Sequence, residues 1–389
     1  MRKNVCMLAY AEYYTDARIK SYVDILIEAK VHVDIICLYD NYSASLKGNE
    51  SLNLIFAGKK YQGNSKSIYL SNYLFFFIKA FFILSFLQLL KKYKFIHVHN
   101  QPDFLVFCAV LPKVLGVKII LDMHDIMIAG VISKFKSKTN SLLYRLTKLQ
   151  TTLSVKFCNI LICADHSQKE YLISNGINNR NIDVLLNLPY DKYFHLRNNE
   201  PAGNIKIIYH GTVSSRLGLD IAIKAVEAAC AEINLTFTIV GNGEDKKRLV
   251  QYCHEKKIID RIIYFKPFIP VENLQKEIEK YHIGIVANRK TIIGDKCMLP
   301  VKLIEYIAIG LPVIVPKLEV IKMYFNEDMV YYYEPEDINE LKKAIVDLAG
   351  SAELRRIISN NSRIFFNSYN WNIQKEKYLY MINSPYANR

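Results

Sequence analysis

Short apolar runs alternate with longer stretches of helical spacing along the first half of the chain. Six runs rich in β-branched residues are typical of strands, and they cover residues 4–10, 31–39, 95–100, 118–125, 159–165 and 182–187. Residues 16–29, 104–115 and 140–156 have the spacing of helices. Strands that are apolar along their whole length lie in parallel sheets covered on both faces. The pattern therefore predicts a doubly wound α/β domain.

The same alternation starts again after residue 200. Strand-like runs cover residues 205–211, 235–241, 262–267, 282–288 and 311–316, with helical spacing in between, including residues 218–231 and 301–309. The polar segment 195–204 resembles a linker. We predict two Rossmann-like domains, residues 1–195 and 196–365, with an interdomain cleft at the carboxyl ends of their strands. For residues 366–389, a family resemblance set out below implies a helix that crosses back to the first domain.

Composition agrees with a two-domain globular protein and narrows its setting. A chain of 389 residues exceeds what one hydrophobic core usually serves. The eight cysteines form no CxxC pair and no His/Cys ligand spacing, which is typical of reduced thiols in the cytosol. The first 14 residues indicate a β-strand and not a signal peptide.

One apolar segment, residues 68–92, approaches the length of a membrane span. Lys79 lies in its middle, and Asn72 and Gln88 are also within it. A spanning helix tolerates such a charge poorly. We therefore expect a buried or interfacial helix.

The net charge of +14 is not accompanied by any motif of nucleic-acid recognition. A well-solvated basic surface is one explanation. The other is a protein that works against an anionic membrane or on phosphorylated substrates.

Two glycine-containing loops follow predicted strands in the second half. In HGTVSSRLGLD (210–220), a strand stops at Gly211 and a helix begins near Gly218, with Arg216 just before it. Free amides at that helix start, together with the arginine, suit a diphosphate, although an ordinary turn fits the same letters. In VGNGEDKKRL (240–249), Gly241 and Gly243 allow close approach of the backbone, as nucleotide loops require.

The segment LPVKLIEYIAIGLPVIVP (299–316) places two charges in an apolar helix. Pro300 indicates a helix that starts near Val301, with Lys302 and Glu305 on one face. Lys302 can meet a phosphate there, and Glu305 can accept two hydrogen bonds from a ribose diol. A simple intrahelical contact between the two side chains is the alternative.

Histidines mark two strand ends in the first half. His124 and Asp125 follow a strand in LDMHDIM, where a histidine can act as acid, base or hydrogen-bond donor, or can simply satisfy a loop. His97 and His99 share one strand face at a spacing that a metal can use. No third ligand is apparent in the sequence, so no metal site is predicted.

Together these stretches resemble the family 4 glycosyltransferases, which are retaining enzymes of the GT-B fold. The most specific is LPVKLIEYIAIGLPVIVP, which is similar to the family's LPxKxxEYxAxGxPVI element. HGTVSSRLGLDIAIKAV resembles its donor-phosphate element, and TIVGNGEDKKRL its VGxGxxxxxL turn. In the first half, TDARIK, LDMHDIM and VLLNLPYDKYF resemble further family segments.

The resemblance assigns roles to residues of both domains. Arg216 and Lys302 would hold the donor diphosphate and stabilise the leaving nucleotide, and Glu305 would bind the ribose hydroxyls. Gly211, with its neighbour Thr212, would meet the phosphates, and Gly241 would open the nucleotide-side turn. His124 would lie beside the transferred sugar. The first domain would then bind the acceptor and the second the nucleotide-sugar.

The sequence departs from the family pattern in three places. Many members carry a glutamate eight residues before the one at Glu305, and here that position is Cys297. Asp295 or backbone groups are the available substitutes. The glycine-rich first loop is replaced by AYAEYYTDAR, and no Pro–Glu follows the His–Asp pair.

The resemblance implies a retaining hexosyltransferase that is independent of metal and uses a nucleotide-sugar, expected to be UDP-linked, as co-substrate and no other cofactor. The acceptor is expected to be a saccharide or a polyprenyl-diphosphate-linked saccharide in capsule, O-antigen or exopolysaccharide assembly. The expected location is the cytoplasm, at the inner face of an anionic membrane, without nucleic acid as a partner. A nucleotide-sugar epimerase and a non-catalytic partner of a polysaccharide-synthesis complex are the alternatives.

Overall fold

A computed structural model describes residues 4–41, 50–61, 63, 66–135 and 141–384. The chain divides into two compact units. The first unit comprises Met1–Leu186 and Gln374–Arg389, and the second Asn187–Ile373. The chain therefore changes unit at residues 186 and 373, where the sequence suggested 195 and 365. Residues 385–389 of the expected terminal helix lie outside the described residues.

The first unit contains a parallel sheet of seven strands in the order β3-β2-β1-β4-β5-β6-β7. Its strands are β1 (Asn4–Glu12), β2 (His32–Tyr39), β3 (Leu52–Lys59), β4 (Phe95–His99), β5 (Lys118–Met123), β6 (Ile160–Cys163) and β7 (Ile182–Val184). Its helices before the chain leaves the unit are α1 (Ala17–Glu28), α2 (Lys66–Lys91), α3 (Val110–Val114), α4 (Met127–Phe135), α5 (Leu142–Phe157) and α6 (His166–Ser174), with 3-10 helices at Tyr13–Thr15 and Asp103–Ala109.

The second unit contains a parallel sheet of six strands in the order β10-β9-β8-β11-β12-β13. Its strands are β8 (Ile205–His210), β9 (Leu235–Val240), β10 (Ile263–Lys266), β11 (Ile283–Ile285), β12 (Val313–Pro316) and β13 (Tyr331–Tyr333). Its helices are α7 (Leu219–Ala229), α8 (Lys246–Glu255), α9 (Val271–Ile278), α10 (Ile292–Lys296), α11 (Val301–Ile309), α12 (Glu319–Lys322), α13 (Ile338–Gly350), α14 (Ala352–Ser362) and α15 (Phe365–Ser368), with a 3-10 helix at Ser215–Leu217.

The last helix, α16 (Trp371–Asn383), belongs to the first unit from Gln374 onward. Its Tyr378 is fully buried, and the hydroxyl lies 2.9 Å from Nδ1 of His97 on β4. The amino group of Lys118 donates to the carbonyl of Ser384, just after the helix end, at 2.7 Å. These bonds attach the chain end to the sheet of the first unit.

The predicted alternation of strands and helices is confirmed, and the differences lie mainly at sheet edges. Strands β3 and β13 escaped the sequence analysis because each pairs on one side only and is half-exposed, so its hydrophobic signal is weak. The stretch 104–115, expected as one helix, is a 3-10 helix followed by α3. Helix α11 spans residues 301–309, as predicted.

Local sequence explains where helix α11, which carries Lys302 and Glu305, begins and ends. Pro300 occupies the position before α11, where its missing N–H costs nothing. Gly310 ends the helix in the left-handed conformation, with a φ of 88°. Both ends are therefore fixed, and Lys302 falls in the first turn.

Candidate active site

The carboxyl ends of β8 and β9 meet backbone to backbone in the second unit. The amide of Gly211 donates to the carbonyl of Val240 at 2.9 Å. Gly211 and Gly241 have φ values of 114° and 144°, which favour glycine. A Cβ on Gly241 would lie 1.9 Å from the carbonyl oxygen of Gly211. Only glycine fits at residue 241, and the two turns form one continuous backbone surface.

The turn after β9 closes on the same loop. The amide of Val213 donates to Asn242, and the amide of Asp245 donates back to the carbonyl of Val213. A Cβ on Gly243 would lie 2.0 Å from that same carbonyl oxygen. The two glycine loops found in the sequence are therefore in direct contact.

Lys302 and Glu305 reach from α11 to two successive residues of β8. The amino group of Lys302 lies 3.0 Å from the hydroxyl of Tyr209 and 4.2 Å from the centre of its ring. The same hydroxyl donates to the carbonyl of Thr212 at 2.6 Å. The side chain of Lys302 is also the nearest group to the place that a Cβ on Gly211 would take. Such a Cβ would lie 3.6 Å from the Nζ atom of Lys302. A cation is thus held at the glycine turn.

Glu305 is paired with the histidine that ends β8. Its Oε2 atom lies 2.6 Å from Nε2 of His210. The two groups of α11 therefore bond to β8, which the intrahelical alternative did not anticipate. Nδ1 of His210 is buried and has no hydrogen-bond partner among the described residues.

Arg216 is exposed on the 3-10 helix that leads into α7. Its Nη1 atom lies 3.6 Å from the sulfur of Met298, two residues before Pro300, so the guanidinium lies beside the start of α11. A Cβ on Gly218 would lie 2.0 Å from the carbonyl oxygen of Ala287, so this glycine also permits a close backbone approach.

The arginine that stabilises this loop, Arg289, has no local signal in the sequence. Arg289 donates from Nε to the carbonyl of Ser215 at 2.9 Å, and its Nη2 contacts both oxygens of Asp220 at 2.8 and 2.7 Å. Its backbone amide donates to the carbonyl of Arg216. These charge-assisted hydrogen bonds hold the loop that presents Arg216.

Asn288 is a second residue without a sequence signal. It follows β11 between Ala287 and Arg289, is 1 % exposed, and neither atom of its amide has a hydrogen-bond partner among the described residues. A buried amide usually has partners, so this group is available to a ligand. Where many family members carry a glutamate, this chain has Cys297, which is buried. The nearby carboxylate of Asp295 accepts a hydrogen bond from the amide of Glu319 at 2.8 Å.

In the first unit, His124 lies directly after β5 in a recess at the strand ends. The recess is lined by residues of three strand ends, of α2 and of the start of α1, namely Ala9, Tyr10, Ala11, Asp16, Ile19, Tyr73, His99, Asn100, Gln101, His124 and Asp125. Burial lowers the pKa of His124, and nearby Asp122 opposes this only in part. Its Nδ1 has no partner among the described residues. A neutral imidazole thus faces the recess.

Asn100 fixes the backbone that carries His124. Its Oδ1 accepts from the amides of His124 and Asp125 at 3.1 and 3.3 Å, and its Nδ2 donates to Asp103 at 2.9 Å. Asp103 also accepts from Thr151 on α5 at 2.8 Å. Burial raises the pKa of Asp103 to about 6 despite these two hydrogen bonds.

The histidines of β4 have a third neighbour that the sequence did not reveal. His97, His99 and Asp122 bring potential ligand atoms within 4.8 Å of one another, so a third potential ligand is present that was not apparent in the sequence. However, both oxygens of Asp122 accept from Arg18 at 2.8 Å. Burial alone would raise the pKa of Asp122, but Arg18 holds it well below its usual range. The guanidinium already occupies the place that a cation would take.

Solved structures similar to this chain define its fold. Sucrose-phosphate synthase from Thermosynechococcus elongatus superposes with a TM-score of 0.79 at 15% identity, covering 98% of both chains. HepE from Anabaena in complex with UDP-glucose gives 0.72 at 14% identity, covering 97% of this chain and 99% of that one. The lipopolysaccharide outer core galactosyltransferase WaaB gives 0.66 at 13% identity over 97% and 99%. The fold is GT-B, as predicted.

Family models match both halves of the chain. The family described as Glycosyltransferase Family 4 matches residues 22–188, and that described as Glycosyl transferases group 1 matches residues 193–365. The chain therefore belongs to the family 4 glycosyltransferases, a family of retaining enzymes that use nucleotide-sugar donors. This confirms the family expected from the sequence. No curated protein sequence matches the chain.

Proposed function

We propose that this enzyme transfers a hexose from a UDP-sugar, with retention, to a saccharide or polyprenyl-diphosphate-linked saccharide during bacterial surface polysaccharide assembly. HepE has been solved with UDP and with UDP-glucose, and WaaB is a lipopolysaccharide galactosyltransferase. Both have folds like that of this chain, and they favour UDP and a saccharide acceptor.

The observation that carries the proposal is the position of Lys302 beside the glycine turn after β8. Its amino group is held by Tyr209 at 3.0 Å and lies beside Gly211, whose backbone meets that of Gly241 with no side chain between them. A diphosphate on this surface would meet Lys302, with Arg216 approaching from the adjoining loop. Two cations placed before reaction stabilise the charge that develops on the leaving diphosphate. This chemistry needs no metal ion.

The other donor contacts follow from the same geometry. Glu305, already oriented by His210, would accept hydrogen bonds from the ribose hydroxyls, and Thr212 would contact the phosphates through the exposed start of the loop. The buried amide of Asn288 would gain the partners that it lacks within the protein. We infer that Asn288 contributes part of the donor binding that other members obtain from the glutamate at the position of Cys297.

The transfer step proceeds on the front face of the sugar. The bond from the anomeric carbon to the diphosphate oxygen breaks, and the acceptor oxygen forms a bond to the same carbon. The acceptor proton passes to the departing phosphate oxygen, so the products are UDP and the glycoside. His124 would hold a hydroxyl of the transferred sugar, with a neutral ring that can donate or accept.

Lys302→Met tests the proposal because it keeps an unbranched side chain of nearly the same length and removes its charge. We expect sugar transfer and UDP-sugar hydrolysis to fall about 100-fold or more, the usual effect of losing one preorganised charge partner. Affinity for UDP should fall less, since the charge is largest in the transition state. Lys224→Met, on an exposed lysine of α7, is the matched control.

Donor identity is tested by thermal unfolding with UDP, GDP, ADP and their sugars. A ligand that binds only the folded protein raises the unfolding temperature, and UDP compounds should do so selectively. Stabilisation by GDP or ADP alone would replace UDP in the proposal. Unchanged turnover in Lys302→Met would remove the assigned site.

A further inference from the structure

The exposed apolar side chains of this protein are concentrated on three helices of the first unit. Among the described residues, sixteen of the twenty-four exposed large hydrophobic side chains lie on or directly after α2, α3 and α5. They are Ile68, Leu74, Phe75, Ile78, Phe82, Phe86, Leu89, Leu90, Val110, Val114, Leu115, Leu142, Leu143, Leu146, Leu149 and Leu153. Apolar surface of this extent marks an interaction site.

Helix α2 has two different faces. Phe76, Ala80 and Leu84 are buried, and Phe76 comes near Gly58 of β3 and the ring of Tyr10 on β1. On the opposite side, Phe82 and Phe86 are 66% and 62% exposed. One face is therefore packed on the sheet, and the other carries aromatic rings into solvent.

The segment Ser71–Lys91 is long and apolar enough to cross a membrane by length and composition, with 22% of it buried. However, α2 connects β3 to β4, which belong to one parallel sheet. Such a crossover helix runs along the sheet, and the buried face of α2 is packed there. The helix can therefore offer only its outer face to a bilayer.

The apolar face continues from α2 to α5 through the 3-10 helix between β4 and α3. Phe104 of that helix contacts Phe77 of α2, with ring centres 5.7 Å apart, and Phe107 contacts Phe157 of α5 at 5.2 Å. On α5, Leu142, Leu146, Leu149 and Leu153 recur at helical spacing along one exposed stripe. The three helices thus form one surface, called here the α2–α5 face.

The charge of this region selects the partner. Helices α2, α3 and α5 contain no acidic residue. Residues 66–164 include thirteen lysines and arginines against three aspartates, of which Asp103 and Asp122 are fully buried. Exposed Lys79 and Arg145 lie on the same helices as the apolar stripes. A basic, apolar helical surface without negative charge suits an anionic lipid interface better than a protein of mixed charge.

We propose that the α2–α5 face binds in the headgroup region of an anionic bilayer, with the aromatic and leucine side chains in the acyl boundary and the lysines at the phosphates. Tyr73 of α2 also lines the recess of His124 and stacks on Tyr10, with ring centres 4.0 Å apart. The bilayer surface would therefore lie close to that recess. No donor-site residue enters this proposal, so it stands or falls separately from the proposed reaction.

Vesicle flotation tests the proposal on the full chain. Wild-type protein should float with phosphatidylcholine vesicles containing one-third phosphatidylglycerol at low salt, and binding should weaken at high salt or without phosphatidylglycerol. Phe82→Ser with Phe86→Ser should reduce the bound fraction at least tenfold. The matched control is Phe268→Ser with Ile364→Ser, which removes side chains 67% and 57% exposed in the second unit. This control should bind like wild type.

The charge requirement is tested by Arg145→Glu with Lys148→Glu on α5. This pair should abolish the dependence on phosphatidylglycerol, whereas Lys247→Glu with Lys256→Glu, on exposed lysines of the second unit, should keep it. Thermal unfolding and stabilisation by UDP confirm that each variant is folded. Wild-type protein that fails to float would overturn the proposal. Variants of the α2–α5 face that bind like their controls would overturn it as well.

Depth is read with Phe82→Trp in a Trp371→Phe background, which leaves a single tryptophan. Lipids brominated near the headgroup should quench it more than lipids brominated near the chain end. Stronger quenching from the chain end would indicate a spanning helix and contradict the proposal. Sedimentation velocity without lipid tests whether a second copy of the chain, and not a bilayer, covers this face. A dimer that Phe82→Ser with Phe86→Ser converts to monomer would show that it does.

Discussion

At the scale of single residues, the proposed donor site is built from backbone as much as from side chains. Gly241 lies against the carbonyl of Gly211, so the two turns meet with no side chain between them. Side chains contribute at the edges of this surface, where Lys302 and Glu305 are held by Tyr209 and His210. The site therefore depends on positions where any added atom is excluded.

Gly241→Ala should separate this close approach from ordinary backbone strain. The new Cβ would lie 1.9 Å from the oxygen of Gly211, so the two turns must part and donor affinity should fall at least tenfold. Gly203→Ala is the matched control, because its φ is 96° and a Cβ there meets nothing within 4 Å. Titration with UDP by calorimetry measures both variants, and equal affinities would contradict the close-contact explanation.

His124 should give the reaction a characteristic pH dependence. Its pKa is lowered by burial, so the neutral ring persists below its ordinary value of about 6.5. We expect kcat/KM to stay constant as pH falls through that value and to decline only at lower pH. His124→Asn should reduce transfer about 10- to 100-fold and remove the decline. His254→Asn, on an exposed residue of α8, should keep the wild-type profile.

At the scale of elements, a buried carboxyl links α5 to the loop of His124. Asp103 holds Asn100 and accepts from Thr151, so the strand ends and α5 share one hydrogen-bond network. Because the carboxyl group is fully buried, its ionisation is opposed by lost hydration.

The stability of this network should fall as pH rises. The pKa of Asp103 is raised to about 6, above its unfolded value, so the native state binds the extra proton in the interval between them. Its contribution is full below about pH 4 and is lost as pH rises through about 6, with a maximum loss of about 3 kcal/mol. Asp103→Asn lacks this titration. The unfolding free energy of the variant minus that of wild type should therefore rise as pH rises over that interval. Urea unfolding at several pH values measures it, and a constant difference would contradict the assignment.

Elements were predictable where one strand and the turn after it carry the signal. Pro300 and Gly310 bracket α11, and the glycines mark the ends of β8 and β9, so the elements of the proposed donor site could be predicted from sequence. The hydrogen-bond partners of Lys302 and Glu305 could not be predicted in this way. Tyr209 and His210 lie more than 90 residues from Lys302 and Glu305, and only the order of strands brings them together. Arg289, Asn288 and Asp122 were missed for the same reason, because their roles depend on packing and not on local pattern.

At the scale of the whole molecule, the chain end is part of the first unit. Tyr378 of α16 joins Tyr22 and His97 in a buried aromatic group, with its ring centre 4.6 Å from that of Tyr22. The last helix therefore completes a core whose strands were formed nearly 300 residues earlier. The return of this helix to the first unit was suggested only by the family resemblance, because no pattern in residues 366–389 indicates which residues it contacts.

Tyr378→Phe should loosen the first unit selectively. The change removes the bond to His97 and leaves a buried ring nitrogen without its partner, at a cost of about 1–3 kcal/mol. Hydrogen exchange should accelerate in peptides from β4 and β5 and stay unchanged in β8 and β9. Tyr380→Phe changes a tyrosine on the same helix that is 62% exposed, and it should have little effect. Equal acceleration in both units would show a general loss of stability instead.

The distribution of charge has a consequence for how the molecule moves. Residues 66–164 carry ten of the fourteen net positive charges, and all of them belong to the first unit. Such a protein has a permanent electric dipole moment and experiences a torque in a field. Within about 8 Å of a negatively charged surface, the Debye length at physiological salt, the basic segment is attracted to the surface before any contact is made. Orientation would then precede adhesion, and productive encounters would become rarer as ionic strength rises.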